Sequence, residues 1–132
     1  MYEKGLRKIL NFGHTLGHAI ESFFLEQETS KQLLHGEAIA IGMILESYIS
    51  WKLNLLRKEE YLEINYFLSD VFEPVHFGSN DIEKIIQLLQ YDKKNEHGIV
   101  QFVLLNSIGK AISNQNVDKT LIYEAFTDYH KS

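Results

Sequence analysis

Phe12, Leu16, Ala19, Ile20 and Phe23 return at a helical period within a segment that the pattern bounds at about Lys4 and Gln27. A polar patch from Gln27 to Gln32 interrupts it. The apolar pattern resumes after His35-Gly36-Glu37, through Ala38, Ile41, Leu45, Tyr48 and Ile49, and predicts a second helix to about Asn54. A third helix is expected over Lys58 to Val71, then a loop, Phe72 to Gly78, around the single proline, Pro74. Ser79 or Asn80 is the expected cap of a fourth helix over Asp81 to Tyr91. The period then changes. Ile99 to Leu105 is rich in β-branched and aromatic residues, Asn106 to Lys110 is turn-like, and Ala111-Ile112 reads as a short return strand. A last helix is expected from near Asp118 to near His130. The fold class is mainly α with one short β-hairpin near residues 99–113, in a single unit spanning 1–132.

The first helix has two faces of different chemistry. At about 100° per residue, Asn11, His14, His18 and Glu21 all fall within roughly 40° of Arg7. The apolar residues named above lie opposite. A merely solvated face favours Lys, Glu and Gln, whereas this one offers a guanidinium, an amide and two imidazoles. Gly13 and Gly17 lie in the same helix, and each costs about 1 kcal/mol relative to alanine in a helix interior. Close approach of a ligand or of another backbone would account for them, and helix packing alone would too. His14 and His18 are spaced i, i+4, as two zinc ligands on one helix can be, but Thr15 follows His14, so the His-Glu-x-x-His metalloprotease signature is not present. His35 opens the second helix and could meet His14 if the two helices pack as a hairpin.

Composition narrows the possibilities. There is no cysteine, so any metal must rest on His, Asp, Glu or water. A net charge of −5 without a basic stripe argues against a nucleic-acid partner. No apolar run approaches a membrane span of about 20 residues, and the N-terminus has no apolar signal core, so a cytoplasmic location is the default expectation. Hydrophobic residues at 45% and charged residues at 23% fit an ordinary globular chain able to bury one core.

The segment Leu6-Arg7-Lys8-Ile9-Leu10-Asn11-Phe12-Gly13-His14-Thr15-Leu16-Gly17-His18-Ala19-Ile20-Glu21 resembles the central motif of 3-dehydroquinate synthases. Leu34-His35-Gly36-Glu37-Ala38 resembles their next motif. Asp92-Lys93-Lys94, with Gly98, Val103-Leu104-Leu105 and Ile108-Gly109-Lys110-Ala111, resembles a third. The blocks follow in family order and span nearly the whole chain. The resemblance implies the helical C-terminal domain of a two-domain enzyme whose N-terminal domain binds NAD. That enzyme converts a seven-carbon keto-acid phosphate to 3-dehydroquinate in the shikimate pathway. The resemblance also implies that His14 and His35 ligate zinc, or another divalent metal such as cobalt. It places Arg7, Asn11 and one of Lys93 and Lys94 at the substrate, chiefly its phosphate, and His18 at the substrate as a catalytic group. Related sugar-phosphate cyclases share this framework and form an alternative. A non-catalytic helical module that associates with a partner chain is another.

The family's third zinc ligand is a glutamate upstream of the central motif, and no glycine-rich dinucleotide fingerprint occurs in this chain. The resulting expectation is a partial domain with the NAD-binding domain absent, an incomplete metal site and no activity by itself. The connection between His14 and His35 is a few residues longer than the family pattern, within Glu26 to Gln32. A homo-oligomer is expected, both from the family and from apolar surface, including parts of Phe12, Phe23 and Phe24, left exposed. His76, His97 and His130 are expected to be solvated, and Glu59, Glu60 and Glu63 to form an exposed helix face.

Overall fold

The computed structural model describes residues 14–26, 35–72, 75–90, 99–107 and 110–131. Its elements run α1 (His14–Glu26), α2 (His35–Lys52), α3 (Lys58–Val71), α4 (Ser79–Gln90), β1 (Ile99–Ser107), β2 (Lys110–Asp118) and α5 (Lys119–Lys131). Among the described residues, five helices and one antiparallel hairpin agree with the mainly helical expectation.

Helix α2 is the centre of the packing. From Ala38 to Ser50 every residue except Ile39 and Met43 is buried. A helix that is apolar around its circumference has to be covered on all sides. Here α1, α3, α5 and β1 supply that cover. Leu16, Ile20, Leu45, Ile49, Ile85, Leu104, Ile122 and Phe126 are fully enclosed in the resulting core. Ser50 links two layers, because its hydroxyl donates to the Glu46 carbonyl at 2.8 Å and accepts from the Leu105 amide of β1 at 3.1 Å.

Helix α2 ends by a defined mechanism. Leu55 N–H donates to Ser50 O at 2.9 Å and Asn54 N–H to Trp51 O at 2.9 Å, with Asn54 at φ 62°. This paired closure needs a left-handed residue after the helix, and Asn is the side chain that tolerates it best after glycine. Beyond it, Trp51 stacks on Tyr61 of α3 with ring centroids 5.5 Å apart. Tyr61 donates to the Asp128 carboxylate of α5 and accepts from Asn65 Nδ2 at 2.9 Å. Burial, and then the bond to Asp128, push the Tyr61 phenol above its ordinary pKa.

Three sequence expectations need correction. The cap of α4 is Gly78, not Ser79 or Asn80. The Gly78 carbonyl accepts from Ile82 N–H at 3.0 Å, and the Asp81 carboxylate reaches back to accept from Gly78 N–H at 2.9 Å. The hairpin is longer than 99–113: Ile99 pairs with Asp118, Leu105 with Ala111 and Ser107 with Lys110. Finally, Phe23 is buried, and Phe24 meets Phe77 edge-on with centroids 6.0 Å apart. The exposed large apolar residues of the described chain include Leu25 and, on α3, Tyr66, Phe67 and Val71.

The segment before α4 is fastened to α5. Val75 N–H donates to Tyr129 Oη at 2.9 Å, and Phe77 N–H donates to His130 Nε2 at 3.1 Å. His130 is exposed at its edge but bonded, and it stacks on the exposed His76 with centroids 5.1 Å apart. Accepting from Phe77 requires Nε2 without a proton. Burial, and then the nearby His76, lower the His130 pKa below the usual 6.5. The unfolded chain therefore binds the proton more readily. The His130 contribution to stability is fully present above the unfolded pKa and is lost as pH falls through the folded one. Urea midpoints taken from pH 7.5 down to 5 should fall, and His130→Gln should flatten that dependence; an unchanged slope would remove this residue from the account.

Gly17 gives a second stability prediction. A Cβ there would lie 2.7 Å from Ile39 Cδ1, 3.1 Å from Ile39 Cα and 3.3 Å from Ala38 O. The backbone atoms cannot step aside as a side chain can. Gly17→Ala should gain up to about 1 kcal/mol of helix propensity and lose about 1–3 kcal/mol to overpacking, for a net destabilisation. Around Gly36 the described atoms leave a Cβ free of contacts within 4 Å. Gly36→Ala should therefore leave the urea midpoint equal or higher. A stabilised Gly17→Ala protein would contradict the close crossing.

Candidate functional site

The two faces expected of the first helix are present along the described part of α1. Leu16, Ala19, Ile20 and Phe23 are buried against the rest of the protein. His18 and Ser22 are exposed and Glu21 is half-buried. The polar stripe thus faces outward over an apolar back. Gly17 is explained by packing: α1 and α2 approach there so closely that the smallest residue is required.

That crossing also places the starts of the two helices. His14 is three residues before Gly17 on α1, about 4.5 Å along the axis, and His35 is four residues before Ile39 on α2, about 6 Å. The two backbone positions each lie about one turn from the point where the helices touch. The side chains of His14 and His35 lie outside the described residues, as do Arg7, Asn11, Lys93, Lys94 and His97. His18 is the one candidate site residue whose side chain is described. Among the described side chains, no three His, Asp or Glu residues form a group able to hold a metal ion.

One polar residue near this crossing escaped the sequence reading. Glu46 is fully enclosed, and its Oε2 accepts from the Leu16 backbone N–H at 3.0 Å. Leu16 lies midway between His14 and His18. The signal was present in the sequence: Gly42, Met43, Ile49 and Ser50, the helical neighbours of Glu46, are small or apolar, so its carboxylate had to point inward. Among the described residues no buried side-chain nitrogen or oxygen lacks a hydrogen-bond partner. Glu37, in the first turn of α2, is half-buried.

A concavity lies away from this crossing, between α2 and α5, with a volume of about 340 Å³. Tyr48, Thr120, Tyr123, Glu124, Thr127 and Asp128 line it. None of the candidate site residues borders it.

Comparison with known proteins agrees with this frame. A curated 3-dehydroquinate synthase from Parabacteroides distasonis is 40% identical over 131 residues, covering 98% of this chain and 36% of its own length. One from Campylobacter curvus is 35% identical, with 96% and 36% covered. The chain therefore spans about a third of the curated relatives it matches. Among solved structures, 2-deoxy-scyllo-inosose synthase, complexed with carbaglucose-6-phosphate, NAD+ and Co2+, superposes with a TM-score of 0.72 at 29% identity, over 91% of this chain and 34% of its own. The 2-epi-5-epi-valiolone synthase of Streptomyces hygroscopicus subsp. jinggangensis 5008, with NAD+ and Zn2+ bound, gives 0.67 at 26% identity, over 92% and 32%. The family model described as 3-dehydroquinate synthase C-terminal matches residues 1–95, and the chain belongs to that family.

Proposed function

We propose that this chain is the metal- and substrate-binding portion of a 3-dehydroquinate synthase, acting on 3-deoxy-D-arabino-heptulosonate 7-phosphate with release of phosphate. The observation that carries the reading is the exposed His18 on the outer face of α1, beside a tight crossing that sets the starts of α1 and α2 about one turn away. The shared framework also suits a related sugar-phosphate cyclase, the activity of the solved neighbours. Turnover with alternative phosphosugars distinguishes the two.

The donor chemistry fits a divalent metal. His14 and His35 are nitrogen ligands on separate segments, as a catalytic zinc site requires, and with no cysteine present such a site must be built from imidazole and oxygen. We assign those two residues as ligands and place the third ligand and the NAD site on the portion of the relatives that this chain does not span. When bound, zinc would polarise the substrate hydroxyls and NAD would take up and return a hydride.

The remaining tasks fall to this chain's own side chains. Arg7 offers a planar fork to phosphate oxygens, Asn11 an amide donor, and Lys93 or Lys94 a compact positive charge. His18 stands one turn beyond His14 on the same stripe. An imidazole can both accept and donate a proton through its ring nitrogens, which suits it to exchange a proton with the substrate. On this reading the isolated chain makes no dehydroquinate.

The test requires a polypeptide that supplies the nucleotide-binding portion together with this chain. His14→Ala and His35→Ala should lower zinc content. His18→Ala should keep the metal and lose about 10²–10⁴-fold in turnover, the usual range for removing a general acid or base. Zinc lost from His18→Ala but kept by His35→Ala would replace this ligand assignment with an i, i+4 pair on α1.

A further inference from the structure

We infer that Glu46 is a positioning residue: its buried carboxylate, by holding the Leu16 amide, sets the orientation of the α1 segment that carries His14 and His18. The inference rests on the reading of α1 proposed above.

The first argument is cost. Glu46 has no exposed surface, and taking a carboxylate out of water is expensive unless it is well bonded. Burial alone does not call for it. Ala40, Ile41, Ile44, Leu45 and Ile49 around it show that apolar side chains are what this helix otherwise buries. An apolar residue of similar volume at position 46 would join α1 to α2 without a desolvation cost. The glutamate supplies a directional bond instead.

The second argument is where that bond lands. Leu16 is in the first turn of α1, where backbone N–H groups have no acceptor within the helix itself. A carboxylate is favoured at such a position by both the hydrogen bond and the helix dipole. The Leu16 peptide is also the midpoint of His14-Thr15-Leu16-Gly17-His18.

The third argument is geometric. Adjacent residues of α1 engage two residues of α2: Gly17 packs on Ile39 and Leu16 N–H meets Glu46. Those residues are about 10 Å apart along the α2 axis, and the Glu46 side chain and its hydrogen bond together span most of that length to reach the residue next to Gly17. The packed contact limits how far apart the helices lie. Apolar contacts between Leu16, Ala19, Ile20 and Phe23 and the core set which face of α1 is turned inward, but as non-directional contacts they leave small rotations to be fixed by other means. The carboxylate–amide bond is directional. It fixes the angle at which the stripe bearing His14 and His18 is presented.

The experiment uses the polypeptide that joins this chain to the nucleotide-binding portion, with Co2+ as the probe, amide hydrogen exchange and urea unfolding. Glu46→Leu should speed exchange at Leu16 by about tenfold or more relative to Ile20 and Phe23. It should also weaken His14-dependent Co2+ binding by about 10–100-fold, the usual effect of losing a group that orients a ligand. Glu46→Gln keeps an acceptor oxygen at the same reach and should stay within a few-fold of wild type in both readouts. Glu46→Asp keeps the charge but withdraws it by about one bond length, roughly 1.5 Å, and should resemble Leu. Unchanged Leu16 exchange and Co2+ affinity in Glu46→Leu would overturn the proposal. Where Glu46→Leu does not fold, the Gln and Asp variants decide, and equal Co2+ affinity in those two overturns it. Wild-type Co2+ binding that is insensitive to His14→Ala would instead defeat the reading of the site, and the positioning role with it.

Discussion

The burial of α2 between Ala38 and Ser50 governs the rest of the structure. Once Ala38 to Ser50 is withdrawn from water, each polar atom it carries must be bonded inside the protein. Ser47, Ser50 and Glu46 answer this in different ways. Ser47 donates to its own helix, at Met43 O, 2.6 Å away. Ser50 bridges to β1, and Glu46 bridges to α1. The long-range bonds therefore join the central helix to the hairpin on one side and to the histidine-bearing helix on the other. The frame of the candidate site is thus part of the core, and substitutions that loosen α2 would be felt at His18 without touching it.

The sequence was most legible where one helix separates its faces cleanly. Leu16, Ala19 and Ile20 were expected on the apolar back and are buried; His18 was expected on the opposite face and is exposed. Helix α3 was nearly as plain: Glu59 and Glu63 are exposed as expected, but Glu60 is half-buried because its carboxylate turns back to accept from Arg57 N–H and Nε–H at the start of the helix. The chemistry came instead from short motifs, and of its named residues the described structure presents only His18 with its side chain.

What was not legible depends on distant partners. The return strand β2 reads Lys-Ala-Ile-Ser-Asn-Gln-Asn-Val-Asp, a polar stretch without strand periodicity beyond Ile112. Pairing with β1 makes it a strand, with register shifts between Phe102 and Leu104 and between Leu105 and Ser107 absorbing the mismatch. The cover over Phe24 comes from Phe77, far along the chain, so no local pattern could reveal it. The cap of α4 was misplaced because the polar group that satisfies Gly78 comes from Asp81, inside the helix, rather than from the residue ahead of it. His130 escaped for the same reason: a terminal histidine gives no local sign that it will accept from Phe77.

The same physics bears on how far the fold can speak for the reaction. The helical frame superposes on enzymes whose names carry different products, an inosose and a valiolone, at 29% and 26% identity. A frame held by an apolar crossing at Gly17 and a buried carboxylate at Glu46 does not by itself select a substrate. Substrate identity must come from side chains that project from this frame, and from whatever faces them across the site. The case for dehydroquinate therefore rests on the Arg7 to Glu21 segment and its partner motifs, together with 40% identity to a dehydroquinate synthase along nearly the whole chain. The crossing and the Glu46 bond explain how such a segment is held at a fixed angle; the residues on its outer face determine what it is held for.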